Sequence, residues 1–560
     1  MLNPKRFAIQ MLIGAWFVPS TLPVVETTTA HAQTLRTIAL TGQEAPATSG
    51  ALFGALFTPI LNDAGQILFG GRLATGAGIS SPNDVALWVQ MGDSTRLVVR
   101  EGDQAPGAPS GVKLEGLFGQ AMNGLGRVTF QSSLTGPGVT SSNDEGIWTD
   151  AEGPVRLVAR LGDVAPGAGG SAFRYFFLPQ INNGGQVGFP AGITPGASGD
   201  YGNWVERNNA LNLVATRGTP APGFANGATF TNTSGLVLSH TGNVAFSAVT
   251  SATTTDPVFL DVTGLWVDQN GAQSLLARRD MPAPGAPDGM YFLAFSNIAY
   301  SQDRIAFTAG LRNESLLVPE EAGVWKTDGA SLQPILVFGD QAPGAPAGAS
   351  LRRVNALRLN DSGETAFMAT LTVNAVTPQT QTAIFSETDG VLGLVARQGD
   401  HPPGVASSVQ FSTFPTSSFV FNDAGQIAFS AMISGGDVNL PLGRNIPPEF
   451  INDHGIWGQD RSGLLRLVIR AGDIIDVDDG PGVDLRRVQN LNFFGQGGSD
   501  GRGREGFNAH GQLAFSATFT DGTSGVFLST VLAVPEPAAA PLIVSAVLAA
   551  LKLQRRPPRT

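Results

Sequence analysis

One eight-residue pattern recurs along this chain and constrains its fold more than any other feature. The pattern is Asn-x-x-Gly-x-x-Ala-Phe, with degenerate copies at Ser239–Phe246 and Tyr300–Phe307. The closing phenylalanines of the eight copies are spaced 61, 59, 57, 61, 60, 62 and 86 residues apart. Such a period indicates a tandem array of one supersecondary unit. The six clearer copies are Asn62–Phe69, Asn123–Phe130, Asn182–Phe189, Asn360–Phe367, Asn422–Phe429 and Asn508–Phe515.

Each repeat is predicted to contain four short antiparallel strands. Asn at the first turn position and Gly at the fourth favour a tight turn, so the pattern marks a β-hairpin. Two further signatures keep the same phase, Gly-Ile-Trp as at Gly146–Trp148 and Gly-Asp-x-Ala-Pro-Gly as at Gly102–Gly107. The 71 glycines and 37 prolines suit many strands joined by turns. Four antiparallel strands per repeat are typical of a propeller blade.

The two ends of the repeat region predict how the array closes. Thr37–Leu40 occupies the position of a fourth strand, and Gly525–Leu528 occupies that of a third strand with no fourth strand after it. The first strand would therefore complete the last blade and remove the exposed sheet edges. The sequence predicts an all-β fold, an eight-bladed β-propeller over residues 33–530. An open β-solenoid is the alternative, although it would need capping repeats.

The N-terminal residues 1–32 read as a secretory signal peptide. Lys5 and Arg6 precede an apolar run, Phe7–Val18, and a small-residue cleavage site follows at Ala30 and Ala32. We expect cleavage after Ala32. A buried first helix is the alternative interpretation.

The C-terminal residues 531–560 read as a sorting signal with three parts. Pro535, Glu536 and Pro537 come first, then an apolar stretch, Ala538–Leu551, that is short for a membrane span. A basic tail containing Arg555 and Arg556 ends the chain. A plain C-terminal membrane anchor is the alternative.

This order of segments resembles the PEP-CTERM sorting signal of Gram-negative bacteria that make extracellular polysaccharide. The resemblance implies processing by an exosortase-type enzyme and a final location at the cell surface or outside the cell. The membrane would be contacted only through the C-terminal segment, before processing. The repeats also resemble bacterial surface proteins with tandem NxxGxxAF repeats and varied C-terminal anchors. That second resemblance implies architecture and location, and it carries no chemistry.

Composition excludes several classes of function. The formal net charge of −11 disfavours nucleic-acid binding. The absence of cysteine excludes disulfides, thiolate metal sites and cysteine nucleophiles. No His-Glu-x-x-His, Gly-x-Ser-x-Gly or phosphate-binding loop occurs. The sequence thus favours a non-catalytic binding or scaffold module for extracellular polysaccharide or another surface protein. A polysaccharide hydrolase or lyase at the channel mouth and a calcium-dependent adhesin are the alternatives.

Residues that recur in every repeat are interpreted as scaffold. Six tryptophans share one repeat position, where packing between blades is favoured over a sugar-stacking platform. The recurring aspartates of the Gly-Asp loops are expected to cap their own turns, with a cation-binding ring as the alternative. The tryptophans are Trp88, Trp148, Trp204, Trp266, Trp325 and Trp457, and the aspartates are Asp103, Asp163, Asp340, Asp400 and Asp473.

One acidic loop departs from the repeat and is the candidate metal site. Asp476, Asp478 and Asp479 lie close together beside Gly480, and clustered carboxylates of this kind suit Ca²⁺. The loop lacks the ligand spacing of an EF-hand, and a solvated acidic loop is the alternative. Recognition is expected where the chain does not repeat: in this loop, in the insertion Gly495–Glu505, and in the long loops between second and third strands.

Overall fold

The computed structural model describes residues 35–76, 78–194, 200–224, 227–253, 261–313, 317–329, 331–373, 379–416, 419–439, 451–493 and 504–533. Within these ranges the chain forms 36 β-strands in eight antiparallel sheets and a short 3-10 helix, Ser81–Asn83. No helix in this part of the chain has the length and apolar character needed to cross a membrane. The predicted signal peptide and sorting signal, with Ala30, Ala32, Pro535, Glu536, Pro537, Arg555 and Arg556, lie outside the described residues.

The first four repeats form four blades. Blade 1 contains β2 (Phe53–Leu56), β3 (Ile60–Leu61), β4 (Ile67–Leu73), β5 (Val85–Met91) and β6 (Ser94–Arg100). Blade 2 contains β7 (Lys113–Met122), β8 (Val128–Thr135), β9 (Glu145–Thr149) and β10 (Arg156–Arg160). Blade 3 contains β11 (Ala172–Phe176), β12 (Gln180–Ile181), β13 (Val187–Thr194), β14 (Tyr201–Arg207) and β15 (Ala210–Thr216). Blade 4 contains β16 (Phe230–Leu238), β17 (Val244–Thr253), β18 (Asp261–Gln269) and β19 (Ala272–Arg278).

The other four blades complete the ring. Blade 5 contains β20 (Tyr291–Ser301), β21 (Arg304–Arg312), β22 (Leu317–Asp328) and β23 (Ser331–Val337). Blade 6 contains β24 (Ser350–Leu359), β25 (Thr365–Val373), β26 (Gln379–Thr388) and β27 (Val391–Arg397). Blade 7 contains β28 (Gln410–Thr413), β29 (Phe419–Phe421), β30 (Ile427–Ser434), β31 (His454–Gln459) and β32 (Leu465–Arg470). Blade 8 contains β33 (Ile474–Asp476), β34 (Leu485–Asn492), β35 (Leu513–Phe519), β36 (Ser524–Ser529) and β1 (Leu35–Leu40).

The ring is closed by the first strand of the chain. β1 pairs antiparallel with β36, from Leu35 opposite Ser529 to Leu40 opposite Gly525. Blades 8 and 1 also share one buried apolar cluster, in which Trp88 and Ala514 both take part. The predicted eight-bladed β-propeller is therefore confirmed, and the open solenoid is excluded because its two ends would not meet.

The asparagine of the repeated motif both shapes its turn and joins neighbouring blades. The Asn62 Oδ1 accepts the amide of Gln66 at 2.9 Å, while its Nδ2 donates to the carbonyl of Asn123 in the next blade at 3.0 Å. Asn508 in the last blade donates in the same way to the Asn62 carbonyl at 3.2 Å. The sequence indicated the turn, and the structure adds that one side chain makes both kinds of contact.

The six tryptophans are internal to the scaffold, as the repeat position predicts. All are 0% exposed, which excludes the sugar-stacking interpretation. Trp88 stacks on Phe69 with ring centroids 5.8 Å apart. Each indole Nε1 donates at 2.9–3.1 Å to a proline carbonyl in the connector that leads into its own blade. The repeated tryptophan therefore fixes both the inter-blade core and the connector.

Ion pairs between successive blades recur two residues after the tryptophan position. The carboxylate of Glu387, whose side chain is 4% exposed, accepts Lys326 Nζ from the preceding blade at 2.8 Å. It also accepts the amide and hydroxyl of Thr365 at 2.8 and 2.5 Å. Equivalent pairs are Arg96–Asp150, Arg156–Glu206 and Arg207–Asp268.

We expect Glu387→Ala to lower the free energy of unfolding by about 3 kcal/mol, because the half-buried ammonium of Lys326 and two buried donors of Thr365 lose their acceptor. Glu152→Ala is the matched control, since Glu152 is half exposed in its pair with Arg156 and should contribute less than about 1 kcal/mol. Thermal melting followed by circular dichroism measures both variants. Equal melting temperatures for the two variants would contradict the conclusion that Glu387 stabilises the interface between blades 5 and 6.

Candidate functional site

The central channel has two distinct ends. The connectors between blades and the loops between second and third strands lie at one end, which we call the loop face. The Asn-x-x-Gly turns lie at the other, which we call the turn face. The first strands of neighbouring blades lie side by side around the axis. The site-forming residues described below sit on these first strands or on the strands beside them.

Arg504 of blade 8 extends into the channel and reaches two blades far from its own. Its guanidinium donates to the carbonyls of Gly119 and Gln120 in blade 2, at 2.8 and 3.1 Å, and to that of Pro179 in blade 3 at 3.1 Å. The backbone carbonyl of the next residue, Glu505, accepts a hydrogen bond from the Leu61 amide at 2.6 Å. The insertion Gly495–Glu505 was expected to serve recognition, but its described end holds the first strands together.

Exposed aromatic residues occur at the innermost strands of three consecutive blades, blades 1 to 3. Phe57, Phe118 and Phe177 share one repeat position, five residues before the motif asparagine, and are 38%, 37% and 45% exposed. Leu178, beside Phe177, is 47% exposed. Phe118 lies on the innermost strand of blade 2, and Phe57 and Phe177 directly follow the innermost strands of blades 1 and 3, so these residues border the channel. We call these four residues the aromatic arc.

Two tyrosines extend the aromatic arc on blade 3. The rings of Tyr175 and Tyr201 lie 5.6 and 5.8 Å from that of Phe177, measured between centroids. Loss of hydration, and then the hydrogen bond to the Tyr201 hydroxyl, raise the pKa of Tyr175 to about 12. The Tyr175 hydroxyl therefore stays protonated and available as a hydrogen-bond donor at neutral pH.

In blades 4 and 6 the same repeat position is polar, with Ser234 and Asn355, whereas blade 5 has the buried Phe295 there and a polar residue, Ser296, directly after it. In each of these blades the polar first-strand side chain contacts a hydroxyl on the second strand of its own blade. We call these pairs the polar arc. They are Ser234 with Ser247 at 3.0 Å, Ser296 with Thr308 at 3.1 Å, and Asn355 with Thr370 at 3.0 Å. We call the space inside the ring between the aromatic arc of blades 1 to 3 and the polar arc of blades 4 to 6 the funnel. Apolar and hydroxyl-bearing side chains around one space suit an amphipathic ligand.

A carboxyl group with a shifted pKa lies at the edge of the funnel. The Glu145 carboxylate accepts Gln131 Nε2 at 3.3 Å, and the same nitrogen donates to the Phe177 carbonyl at 3.3 Å. Burial, and then the neighbouring charge of Asp144, raise the pKa of Glu145 above its usual range. Glu145 is thereby tied to the aromatic arc through Gln131.

The three aspartates of the candidate metal site each bind backbone amides. Asp476 Oδ1 accepts the amides of Asp478 and Asp484 at 3.1 and 2.9 Å, and Asp478 Oδ1 accepts that of Gly480 at 2.8 Å. Both Asp479 oxygens accept the Thr37 amide of β1, at 2.9 and 3.0 Å. In the part of the chain that the structure describes, no three acidic or histidine side chains converge as metal ligands would. The geometry therefore makes Asp479 a latch on β1, and the calcium prediction gains no support from it.

Two of the recurring connector aspartates, Asp340 and Asp473, cap their turns as expected, whereas the Asp400 carboxylate pairs with the Arg397 guanidinium at 2.7 Å. Asp340 accepts the Val337 amide at 2.9 Å, and Asp473 accepts that of Arg470 at 2.8 Å.

Sequence reasoning missed the aromatic arc, although its signal was present. Three phenylalanines stand at one repeat position in consecutive repeats, and serine, phenylalanine and asparagine stand there in the next three.

A model described as "Family of unknown function (DUF7453)" matches residues 24–196, 192–277 and 257–541. The chain belongs to this family. No curated protein matches this chain.

Several solved structures are similar to this chain at low sequence identity. The β-propeller domain of the Trilobed protease from Pyrococcus furiosus is 10% identical with a TM-score of 0.36, over 75% of this chain and 99% of that one. Oligogalacturonate lyase from Vibrio parahaemolyticus is 10% identical with a TM-score of 0.35, over 86% and 98%. Pyrococcus horikoshii acylaminoacyl peptidase is 11% identical with a TM-score of 0.36, over 77% and 54%. Similarity at this level carries no function to the present chain.

We expect Asp479→Ala to loosen β1, because the Thr37 amide loses a charged acceptor worth about 1–2 kcal/mol. Asp478→Ala is the control, since its carboxylate binds only the nearby Gly480 amide. Hydrogen exchange should speed up in residues 35–40 of the first variant only, and EDTA should not change the melting temperature of the unmodified protein. Equal exchange in both variants would contradict the latch, and a fall in melting temperature with EDTA would favour the calcium site.

The raised pKa of Glu145 gives a pH dependence of known sign. A carboxyl group whose pKa is higher in the folded than in the unfolded chain contributes stability below about pH 4, and this is lost as pH rises through the folded pKa. The melting temperature of the unmodified protein minus that of Glu145→Gln should therefore be more positive at pH 4 than at pH 7. Melting curves at both pH values measure this difference, and an unchanged difference would contradict the assignment.

Proposed function

We propose that this chain is an exported, surface- or matrix-associated propeller that binds extracellular polysaccharide in the funnel without catalysing a reaction. The observation that carries the proposal is the aromatic arc of Phe57, Phe118 and Phe177 facing the polar arc across the channel. Exposed apolar groups clustered at one place in a closed scaffold favour a binding site over a structural role.

The chemistry of a sugar matches the two sides of this funnel. A pyranose ring has an apolar C–H face, which packs against aromatic rings, and an edge of hydroxyls, which pair with donors and acceptors. The aromatic arc would pack against the C–H face of the sugar. The hydroxyls and the amide of the polar arc, together with Tyr175, would form hydrogen bonds with the sugar hydroxyls. Another surface protein is the competing partner, but the hydroxyl-rich half of the funnel favours a saccharide.

Export is part of the proposal and rests on the two chain ends. Cleavage after Ala32 would leave β1, which starts at Leu35, to close the ring. Removal of the C-terminal tail by an exosortase-type enzyme would likewise spare β36, which ends at Ser529. Both processing events are therefore compatible with an intact propeller at the cell surface.

We expect the double variant Phe118→Ala, Phe177→Ala to bind the producing cell's purified polysaccharide at least about tenfold more weakly, since each stacked ring contributes about 1 kcal/mol. Leu125→Ala is the matched control, because Leu125 is 68% exposed but lies in a turn-face turn. Isothermal titration calorimetry measures both. Failure of the unmodified protein to bind, or equal binding by the double variant, would contradict the proposal.

A hydrolase or lyase is the second candidate, and one observation favours it. Glu115 lies opposite Ser133, which lies opposite Glu145, on three adjacent strands of blade 2. Two strand spacings, about 10 Å, therefore separate the backbones of the two glutamates, a distance over which their carboxyl groups can approach one sugar. Release of new reducing ends or unsaturated products from the polysaccharide during the same titrations would favour this candidate.

A further inference from the structure

Arg504 binds the backbone directly beside two members of the aromatic arc. Its guanidinium donates to the carbonyl of Gly119, which follows Phe118, and to that of Pro179, two residues after Phe177. Only 8% of Arg504 is exposed. Hydrogen bonds from a guanidinium are charge-assisted and strong, so a largely buried one restricts the backbone at each carbonyl that it binds.

In blade 2 the regular pairing of the first strand is interrupted immediately after Phe118. Phe118 pairs with the second strand, but the next paired residue is Ala121. Gly119 and Gln120 lie in the resulting bulge, and Arg504 binds both of their carbonyls, at 2.8 and 3.1 Å. Arg504 therefore binds the two residues that the strand register leaves without a partner.

In blade 3 the first strand is also interrupted at its aromatic residue. The segment Phe177–Pro179 lies between β11 and β12. Gln131 Nε2 of blade 2 donates to the Phe177 carbonyl at 3.3 Å, and Arg504 of blade 8 donates to the Pro179 carbonyl at 3.1 Å. Side chains from two other blades thus hold both ends of this segment.

Blade 1 has the same interruption, and the residue after Arg504 contacts it. Phe57 lies between β2 and β3, and β3 ends at Leu61. The Leu61 amide donates to the Glu505 carbonyl at 2.6 Å. Arg504 and Glu505 therefore contact the innermost strands of all three blades that carry the aromatic arc.

The polar arc is held in a different way. The side chains of Ser234 and Asn355 each contact a hydroxyl of their own blade, on Ser247 and Thr370, at 3.0 Å. A phenylalanine side chain has no hydrogen-bonding group, so its backbone and its packing alone decide where its ring lies. A contact that fixes the backbone from outside the blade therefore matters more for the aromatic arc.

We propose that Arg504 is a positioning residue of the funnel, which fixes Phe118 and Phe177 in their binding arrangement before the ligand arrives. This inference rests on the function proposed for the funnel and adds the residue that prepares it. Arg504 acts through the backbone of blades 2 and 3, and it does not contact the ligand. Such preparation raises affinity, because side chains that become ordered only on binding reduce it.

Calorimetric titration with the producing cell's purified polysaccharide tests this role. We expect Arg504→Gln to weaken binding about fivefold or more, because two rings lose their fixed backbone. Arg504→Lys should weaken binding to a similar degree, since an ammonium keeps the charge but lacks the planar fork of donors. It is also the second variant if Arg504→Gln unfolds below the assay temperature.

Arg100→Gln is the matched control for the loss of an arginine–carbonyl bond. Arg100 lies on the outermost strand of blade 1, and its Nε donates to the Asn83 carbonyl at 2.8 Å. This variant should bind the polysaccharide as tightly as the unmodified protein. Full binding by Arg504→Lys would instead show that only the charge matters, and it would overturn the proposal.

Hydrogen exchange measures the same role without any ligand. Arg504→Gln and Arg504→Lys should both speed exchange in residues 117–122 and 176–181, and neither should do so in residues 35–40, where the ring closes. A general structural role would speed exchange in all three segments, and that result would overturn the proposal, as would unchanged exchange in the first two. If the unmodified protein fails to bind polysaccharide, the proposed function fails, while the exchange rates still decide whether Arg504 positions the aromatic arc.

Discussion

The pairing of β1 with β36 is the interaction on which the rest of the molecule depends. A single blade has two faces that it cannot bury alone, and each face is covered by the neighbouring blade. Seven of the blade interfaces join repeats that follow one another in the chain, but the eighth joins residues more than 400 positions apart, such as Asn508 and Asn62. Because β1 is hydrogen-bonded into blade 8 and leads directly into blade 1, the chain also crosses that last interface. Asp479 strengthens it by holding the Thr37 amide.

The repeated residues carry several structural tasks at once, and this explains why they repeat. The motif asparagine stabilises its own turn and donates a hydrogen bond to the next blade. The tryptophan packs in the core between blades and donates to a carbonyl of the connector. The acidic residue two positions later forms an ion pair with the preceding blade. Since all these contacts are buried, substitution at one position removes more than one interaction. The positions that vary are those released from such tasks, and the first-strand position of Phe57 and Ser234 is one of them.

The proposed binding site depends on closure of the ring. Phe57, Phe118 and Phe177 come from three blades, and they meet the polar arc only across the axis. No single blade and no open array of blades would bring the two arcs together.

The sequence by itself determined the number of blades, the plan of four antiparallel strands per blade, the completion of the last blade by the first strand, and the structural role of the tryptophans. These follow from local turn chemistry and from periodicity, which the order of residues records directly. It did not determine that Phe118 faces a polar arc, that Arg504 spans the channel to Gly119 and Pro179, or that Asp479 latches β1. Such features depend on distances between residues far apart in the chain, and closure of the ring decides those distances.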